Sequence, residues 1–530
     1  MFHVYFLKAC FFLKRDSLKV GRNDIVLMRL SSGPTEIFVK SRISLKAGDL
    51  QWRTYSAVNE EPTLPPCDFK PQPYKGHSYG SAKEIQQKNV VPCLAPVYKE
   101  PLLLHQGYKQ WLFDHNGKRY LDLFAGIATV SVGHCHPKVK DALVTQANSL
   151  WHTSNLFMHP KLHEYAQKLT AKLPDKLNVV YFVNSGSEAN DLAMLLCRSY
   201  TNNYDIIALR NAYHGMSPYT AGLVGISVWK PDIPTGSGVY HTMNPDVFRG
   251  VWGGKYCRDS PVQTVRKCNC SPSCCEASSR YIDQLEEILQ TSVHKKRVAG
   301  FFAESIQGVG GTVQYPKDYL KKAFKIIKDS GGLCVSDEVQ TGFGRTGDHF
   351  WGFEGHDVQP DIVTMAKGIG NGFPLAAVVT TTEIAQSLTK SLHFNTFSGN
   401  PLACAVGTAV LEVIEEEKLQ ENCKIVGTYM LTKLSELRDK FDCIGDVRGK
   451  GLMIGVEMVK DKNQMKPMAA SDILDIWEEI KKHGIIIGKG GAQGNVFRIK
   501  PPMCITKEDV DYTISVLDKV LTKYVEKTKY

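Results

Sequence analysis

Two residues of this chain could do together a chemistry that neither does alone. Lys367 closes the apolar run DIVTMAK and Asp337 closes the apolar run LCVSD. A lysine amine can hold an aldehyde covalently, and a carboxylate can keep a pyridine nitrogen protonated. These are the two protein groups that pyridoxal 5′-phosphate chemistry requires. The protonated ring then accepts the electrons left when a substrate loses its α-proton, while the lysine is both anchor and general base. Taken singly each residue is ordinary, because a lysine before Gly-Ile-Gly-Asn-Gly is most often solvated and an Asp that ends a strand is most often a cap or turn former.

The surrounding pattern separates these readings. Residues 333–374 run as an apolar strand, Asp-Glu-Val-Gln, a Gly-rich stretch and a Pro-Asp strand ending in Lys367. SGSEA stands at 185–189, YHG at 213–215 and TFSGNP at 396–401. This set, in this order, resembles the class III, fold-type I aminotransferases over roughly residues 90 to 525. The resemblance implies an α/β fold with a large, mostly parallel sheet covered by helices and a smaller α+β domain built from both chain ends.

A strand that ends in Asn-Ser-Gly-Ser and turns directly into a helix presents free backbone N–H groups at a positive helix end, which is an anion site. Ser185, Gly186 and Ser187 are therefore candidate phosphate ligands, against the plainer reading of a helix cap. The resemblance supports the phosphate and adds Thr396 as a residue that reaches the phosphate of a neighbouring subunit. It thus implies a homo-oligomer, a dimer at minimum and possibly a tetramer. It also implies that Tyr213 stacks on the cofactor ring, that His214 and Glu304 belong to the cofactor shell, and that Gln340 contacts the phenolic oxygen. Arg498, in NVFRIKPPMCIT, matches the family's arginine for the substrate α-carboxylate, a role suited to a guanidinium fork. Ser305 stands where the family usually has Pro. No metal is expected among these site residues.

Two departures bear on the substrate. Family members that alternate with glutamate or ω-amino acids carry a second arginine after the aromatic-x-Gly motif, where this chain has Met216, and a switching glutamate after Ile-Gln-Gly, where it has Val309. A distal carboxylate would have no cationic partner, and burying it unpaired is costly. The expectation is amino transfer from L-alanine to a small oxo acid, glyoxylate or pyruvate, by a ping-pong mechanism. The resemblance adds β-aminoisobutyrate and dimethylarginine as further donors. The alternatives are a class III ω-amino acid:pyruvate aminotransferase or, in another class, a non-catalytic scaffold, which would be expected to lose Lys367 or Asp337.

The elements that must position these residues are legible as alternation. NVVYFV, DIIAL and VAGFFAE read as buried strands, and SEANDLAMLLCRSY, YIDQLEEILQ and KDYLKKAFKIIKDSGG as helices, which is the rhythm of a parallel sheet covered on both faces. A chain of 530 residues, 43% hydrophobic, can bury a large core. Its net charge of +10 is modest for that length, and no basic stripe interleaved with aromatics suggests nucleic acid. No segment approaches a membrane span.

Residues 1–48 hold nine Lys/Arg against three acids, a basic leader that resembles a mitochondrial transit peptide and points to the matrix. The expected order continues with a linker and N-terminal extension at 49–90, the first part of the small domain at 91–149, the cofactor domain at 150–400 and the rest of the small domain at 401–530. The fifteen cysteines, odd in number and irregularly spaced, argue against a secreted disulfide scaffold. The cluster at 257–275 reads as a thiol-rich surface insert, with zinc or a redox role as the alternatives.

Overall fold

The computed structural model describes residues 61–94, 98–154, 156–273, 275–294, 297–390 and 392–528, together with the backbone of 25–31 and 36–42. Contacts divide the chain into Met1–Pro62 and Thr63–Tyr530. In the first unit β1 (Ile25–Ser31) and β2 (Glu36–Arg42) pair antiparallel, with Ile25 opposite Arg42. The remainder of the basic leader lies outside the described residues.

The second unit carries two sheets. One, of seven strands, contains β6 (Val179–Val183), β7 (Asp205–Leu209), β8 (Val239–Thr242), β9 (Val298–Glu304), β10 (Leu333–Asp337), β11 (Ile362–Met365) and β12 (Ala376–Thr380), in the order β6-β12-β11-β10-β9-β7-β8. The run from β8 to β11 is parallel, and β12 is antiparallel to both β11 and β6. Every residue of β9, β10, β11 and β12 is buried, which is why these strands read as unbroken apolar runs instead of alternating ones.

The first and last parts of the second unit share the other sheet. β3 (Leu104–Tyr108), β4 (Trp111–Asp114) and β5 (Arg119–Leu123) join β13 (Ile444–Lys450), β14 (Met453–Asp461), β16 (Ile485–Gly490) and β17 (Val496–Ile499) through the parallel pair β5–β16. The short strand β15 (Lys466–Pro467) pairs with β14.

The helix reading of 187–200 lengthens to Gly186–Thr201, with Ser185 as its N-cap. The amphipathic run after Lys317 forms the helix Tyr319–Asp329, which stops before Gly331 in the left-handed region. The helix Glu276–Thr291 buries Tyr281, Ile282, Leu285 and Leu289 on one stripe. The cysteine cluster preceding it differs from the expected surface insert. Cys257 is buried and Cys268, Cys270 and Cys275 are half-buried, because Cys257 packs into the apolar cluster that holds Tyr281 and Phe301.

Candidate active site

The parallel register places three polar side chains side by side at the carboxyl ends of the central strands, where open α/β sheets bind ligands. Asp337 on β10 pairs with Glu304 on β9 and with Thr364 on β11. Asn190, from the helix Gly186–Thr201, spans two of these strands: its Nδ2 donates to Asp337 Oδ2 at 2.8 Å and its Oδ1 accepts from Thr364 Oγ1 at 2.8 Å. His214 Nδ1 donates to the same Asp337 oxygen at 2.7 Å, and Val339 N donates to Oδ1 at 3.0 Å. Burial opposes charge on the His214 ring, but the hydrogen bond and charge of Asp337, with Glu304 adding, hold its pKa above the ordinary value.

Lys367 follows β11 and has φ +53°, a left-handed conformation that a lysine seldom adopts. Neighbours fix the turn. Ser131 Oγ donates to Gly368 O at 2.7 Å, and Asn371 Oδ1 accepts from Val132 N at 2.9 Å. The Lys367 amine makes no side-chain hydrogen bond or ion pair among the described residues. Burial lowers its pKa from 10.5 to about 8, Asp337 and Glu304 opposing and Arg498 reinforcing the shift. An amine held there becomes neutral, hence nucleophilic, as the pH rises through about 8, well below the value of a free lysine.

At the Ser185–Ser187 turn the helix cap is formed. Ser185 Oγ accepts from Glu188 N at 3.2 Å as an ordinary cap. The N–H groups of Gly186 and Ser187, at the first helical positions, donate to no group among the described residues and face the positive end of the helix. The YHG loop packs onto this turn, with Met216 N donating to Ser187 Oγ at 3.1 Å. Gly215 is required there, since its φ is +126° and an added Cβ would lie 2.7 Å from Ser187 Oγ.

Glu304 anchors the same loop from below, Oε1 accepting from Tyr213 N at 3.2 Å and Oε2 from Gly308 N at 2.6 Å. Burial raises the Glu304 pKa. The Tyr213 ring packs edge-on to Trp229 at 5.6 Å. Gln340 is buried, and its Oε1 accepts from Lys500 Nζ at 2.8 Å.

Arg498, on β17, is buried among backbone carbonyls. Its Nε and Nη2 donate to Lys489 O at 3.1 and 2.9 Å, and its Nη1 to Gly308 O at 3.3 Å. No carboxylate pairs with it among the described residues, and burial lowers its pKa to about 10. Gly490 on the adjacent strand leaves the space, as a Cβ there would sit 2.6 Å from Arg498 Nε. Val309, where a glutamate was looked for, is buried one residue after the carbonyl that holds the guanidinium.

Thr396 stands apart from this cluster, exposed on a loop with Phe394 and Phe397. Sequence reasoning did not single out Lys500 or Asn190. Lys500 lay in a quoted motif, but nothing in a strand lysine before Pro-Pro announces burial. Asn190 gives a weak signal as the polar residue between Ala189 and Leu192 on a buried helix face.

The residues present fit pyridoxal phosphate. An amine of lowered pKa, a fixed buried carboxylate, free N–H groups at a helix start and an unpaired buried guanidinium are the groups that an aldehyde, a ring nitrogen, a phosphate and a substrate carboxylate would each need. The chain belongs to the class-III aminotransferase family, whose model matches residues 95–521, and whose members depend on pyridoxal phosphate. It is 57% identical over 475 residues to the mitochondrial alanine–glyoxylate aminotransferase 2 of Homo sapiens, covering 89% of this chain and 92% of that one. It is 46% identical over 462 residues to the mitochondrial alanine–glyoxylate aminotransferase 2 homolog 2 of Arabidopsis thaliana, covering 87% and 91%. Among solved structures it resembles an (S)-enantioselective omega-transaminase from Thermomicrobium roseum, with a TM-score of 0.76 at 29% identity, covering 85% of this chain and 100% of that one.

Proposed function

We propose that this aminotransferase moves the amino group of L-alanine to glyoxylate or pyruvate, in mitochondria, as its two named mitochondrial relatives suggest. The observation that carries the substrate reading is Arg498, a buried cation that donates to carbonyls and pairs with no carboxylate among the described residues, with Val309 and Met216 where a switching acid and a second cation would otherwise stand. Such a site takes one carboxylate per substrate.

When bound, pyridoxal phosphate supplies an electron sink conjugated to the substrate Cα. Asp337, oriented by His214 and Asn190, would keep a proton on the ring nitrogen. Ser185, Gly186, Ser187 and the helix start would hold the phosphate. Tyr213 would pack against the ring, and Gln340, fixed by Lys500, would offer an amide N–H to the phenolic oxygen. Arg498 would grip the substrate α-carboxylate. Lys367 would anchor the cofactor and, once free, carry the proton of the substrate Cα. β-Aminoisobutyrate and dimethylarginine are proposed as further donors, admitted by the open side at Met216.

A dimer completes the site in this reading. The Thr396 loop exposes Phe394 and Phe397, and the neighbouring segment exposes Trp151, Leu156, Phe157 and Met158, joined to it by the His152–Phe397 ring contact at 5.7 Å. Exposed apolar surface of this extent marks an interaction site. The seven-stranded sheet is proposed as the core of a cofactor domain over about 150–400 and the two-ended sheet as the core of the smaller domain.

Initial rates with L-alanine against each oxo acid test the proposal. Parallel double-reciprocal lines with glyoxylate and pyruvate, and little turnover with 2-oxoglutarate, are expected. Preference for 2-oxoglutarate would overturn the reading of Val309 and Met216.

A further inference from the structure

The cysteine cluster lies outside the site described so far and has its own chemistry. Cys257, Cys268 and Cys270 bring their sulfurs within 4.8 Å of one another, and Cys257 Sγ and Cys268 Sγ are 3.7 Å apart. Three sulfurs thus converge from a loop and a Cys-x-Cys turn, and Cys275, the N-cap of the helix Glu276–Thr291, supplies a fourth thiol beside them in sequence. Zinc bound by four thiolates has Zn–S bonds of about 2.3 Å in a tetrahedron, which sets sulfur–sulfur distances of about 3.8 Å. The observed pair already has that spacing.

The local backbone suits thiolates as well. Cys270 N donates to Cys268 Sγ at 3.3 Å, a bond that orients the sulfur. Lys255 and Lys267 flank the cluster in sequence. Cys257 is fully buried and the other three are half-buried, Cys275 lining a cavity with Pro272, Ser273 and His356.

We infer that Cys257, Cys268, Cys270 and Cys275 form a structural zinc site. Binding releases four thiol protons, including the one Cys268 Sγ donates to Lys255 O at 3.2 Å, and leaves a closed, redox-inert centre. Its mechanical effect passes through the residue after Cys257. Arg258 is buried and pairs with Asp446 on β13 at 2.7 and 3.1 Å, and Cys257 O accepts from Lys317 N at 2.7 Å. The ion therefore braces a loop that ties the two sheets together.

Holoenzyme purified without chelator should contain about one zinc per chain by elemental mass spectrometry, and Cys268→Ser/Cys270→Ser should lose it and melt at lower temperature. If the double variant fails to fold, wild-type holoenzyme titrated with an organomercurial should release zinc to a metallochromic dye, and cobalt-substituted protein should show thiolate-to-cobalt charge-transfer bands. Zinc-free wild type with these thiols all titratable, or a disulfide among them in a non-reducing peptide map of freshly isolated protein, would overturn the assignment.

Discussion

His214 Nδ1 and Asn190 Nδ2 both donate to Asp337 Oδ2, at 2.7 and 2.8 Å, so one carboxylate oxygen is fixed from two sides by a loop and a helix. The other oxygen takes Val339 N. A carboxylate held this way cannot rotate to follow a ring. The ring must come to it.

Asp337→Asn keeps the shape and removes the charge that protonates the ring nitrogen. The expected result is retained cofactor absorbance with kcat lower by ~10³-fold, about 4 kcal/mol. Stopped-flow measurement of the alanine half-reaction checks it, and a loss under tenfold would remove Asp337 from the mechanism.

The Lys367 amine gives a pH prediction with a definite sign. Burial holds its pKa at about 8 instead of 10.5, and only the unprotonated amine attacks an aldehyde. The rate at which the apoprotein captures pyridoxal phosphate should rise through pH 8 and level off above it. Arg498→Met removes a neighbouring cation that lowers this pKa and opens the site to water, so the midpoint should move upward.

Lys500 is expected to act through Gln340. Lys500→Met should retain the cofactor and lower kcat about 10-fold, the worth of one buried hydrogen bond of roughly 1.5 kcal/mol. In a double-mutant cycle, Lys500→Met added to Gln340→Ala should cost little more than Gln340→Ala alone. Full additivity would mean that Lys500 contributes independently.

Much of this arrangement was legible in the sequence, and the reasons differ by residue. Lys367 and Asp337 end apolar strands that are buried throughout, so their runs were unbroken and their ends visible. The SGSEA turn announced a helix start because capping chemistry is local. Lys500 and Asn190 escaped notice because their roles arise from partners 160 and 147 positions away, Gln340 and Asp337, and no local pattern encodes such a pairing. The cysteine cluster was visible as composition, but its burial follows from packing against Tyr281 and Phe301, which spacing does not reveal.

Arg498→Lys tests the substrate grip. A lysine carries the charge without the fork, so the KM for L-alanine should rise by ~10²-fold, about 3 kcal/mol for the lost charge-assisted bonds, with cofactor absorbance unchanged. An unaltered KM would place the substrate carboxylate elsewhere.

Two lysines face this site, the half-buried Lys367 and the buried Lys500, and the covalent role falls to Lys367. Borohydride reduction of the holoenzyme, followed by peptide mass spectrometry, distinguishes them directly. The account predicts a phosphopyridoxyl adduct on the peptide containing Lys367, lost when L-alanine is added before reduction. An adduct on Lys500, or one on Lys367 that alanine leaves in place, would contradict it.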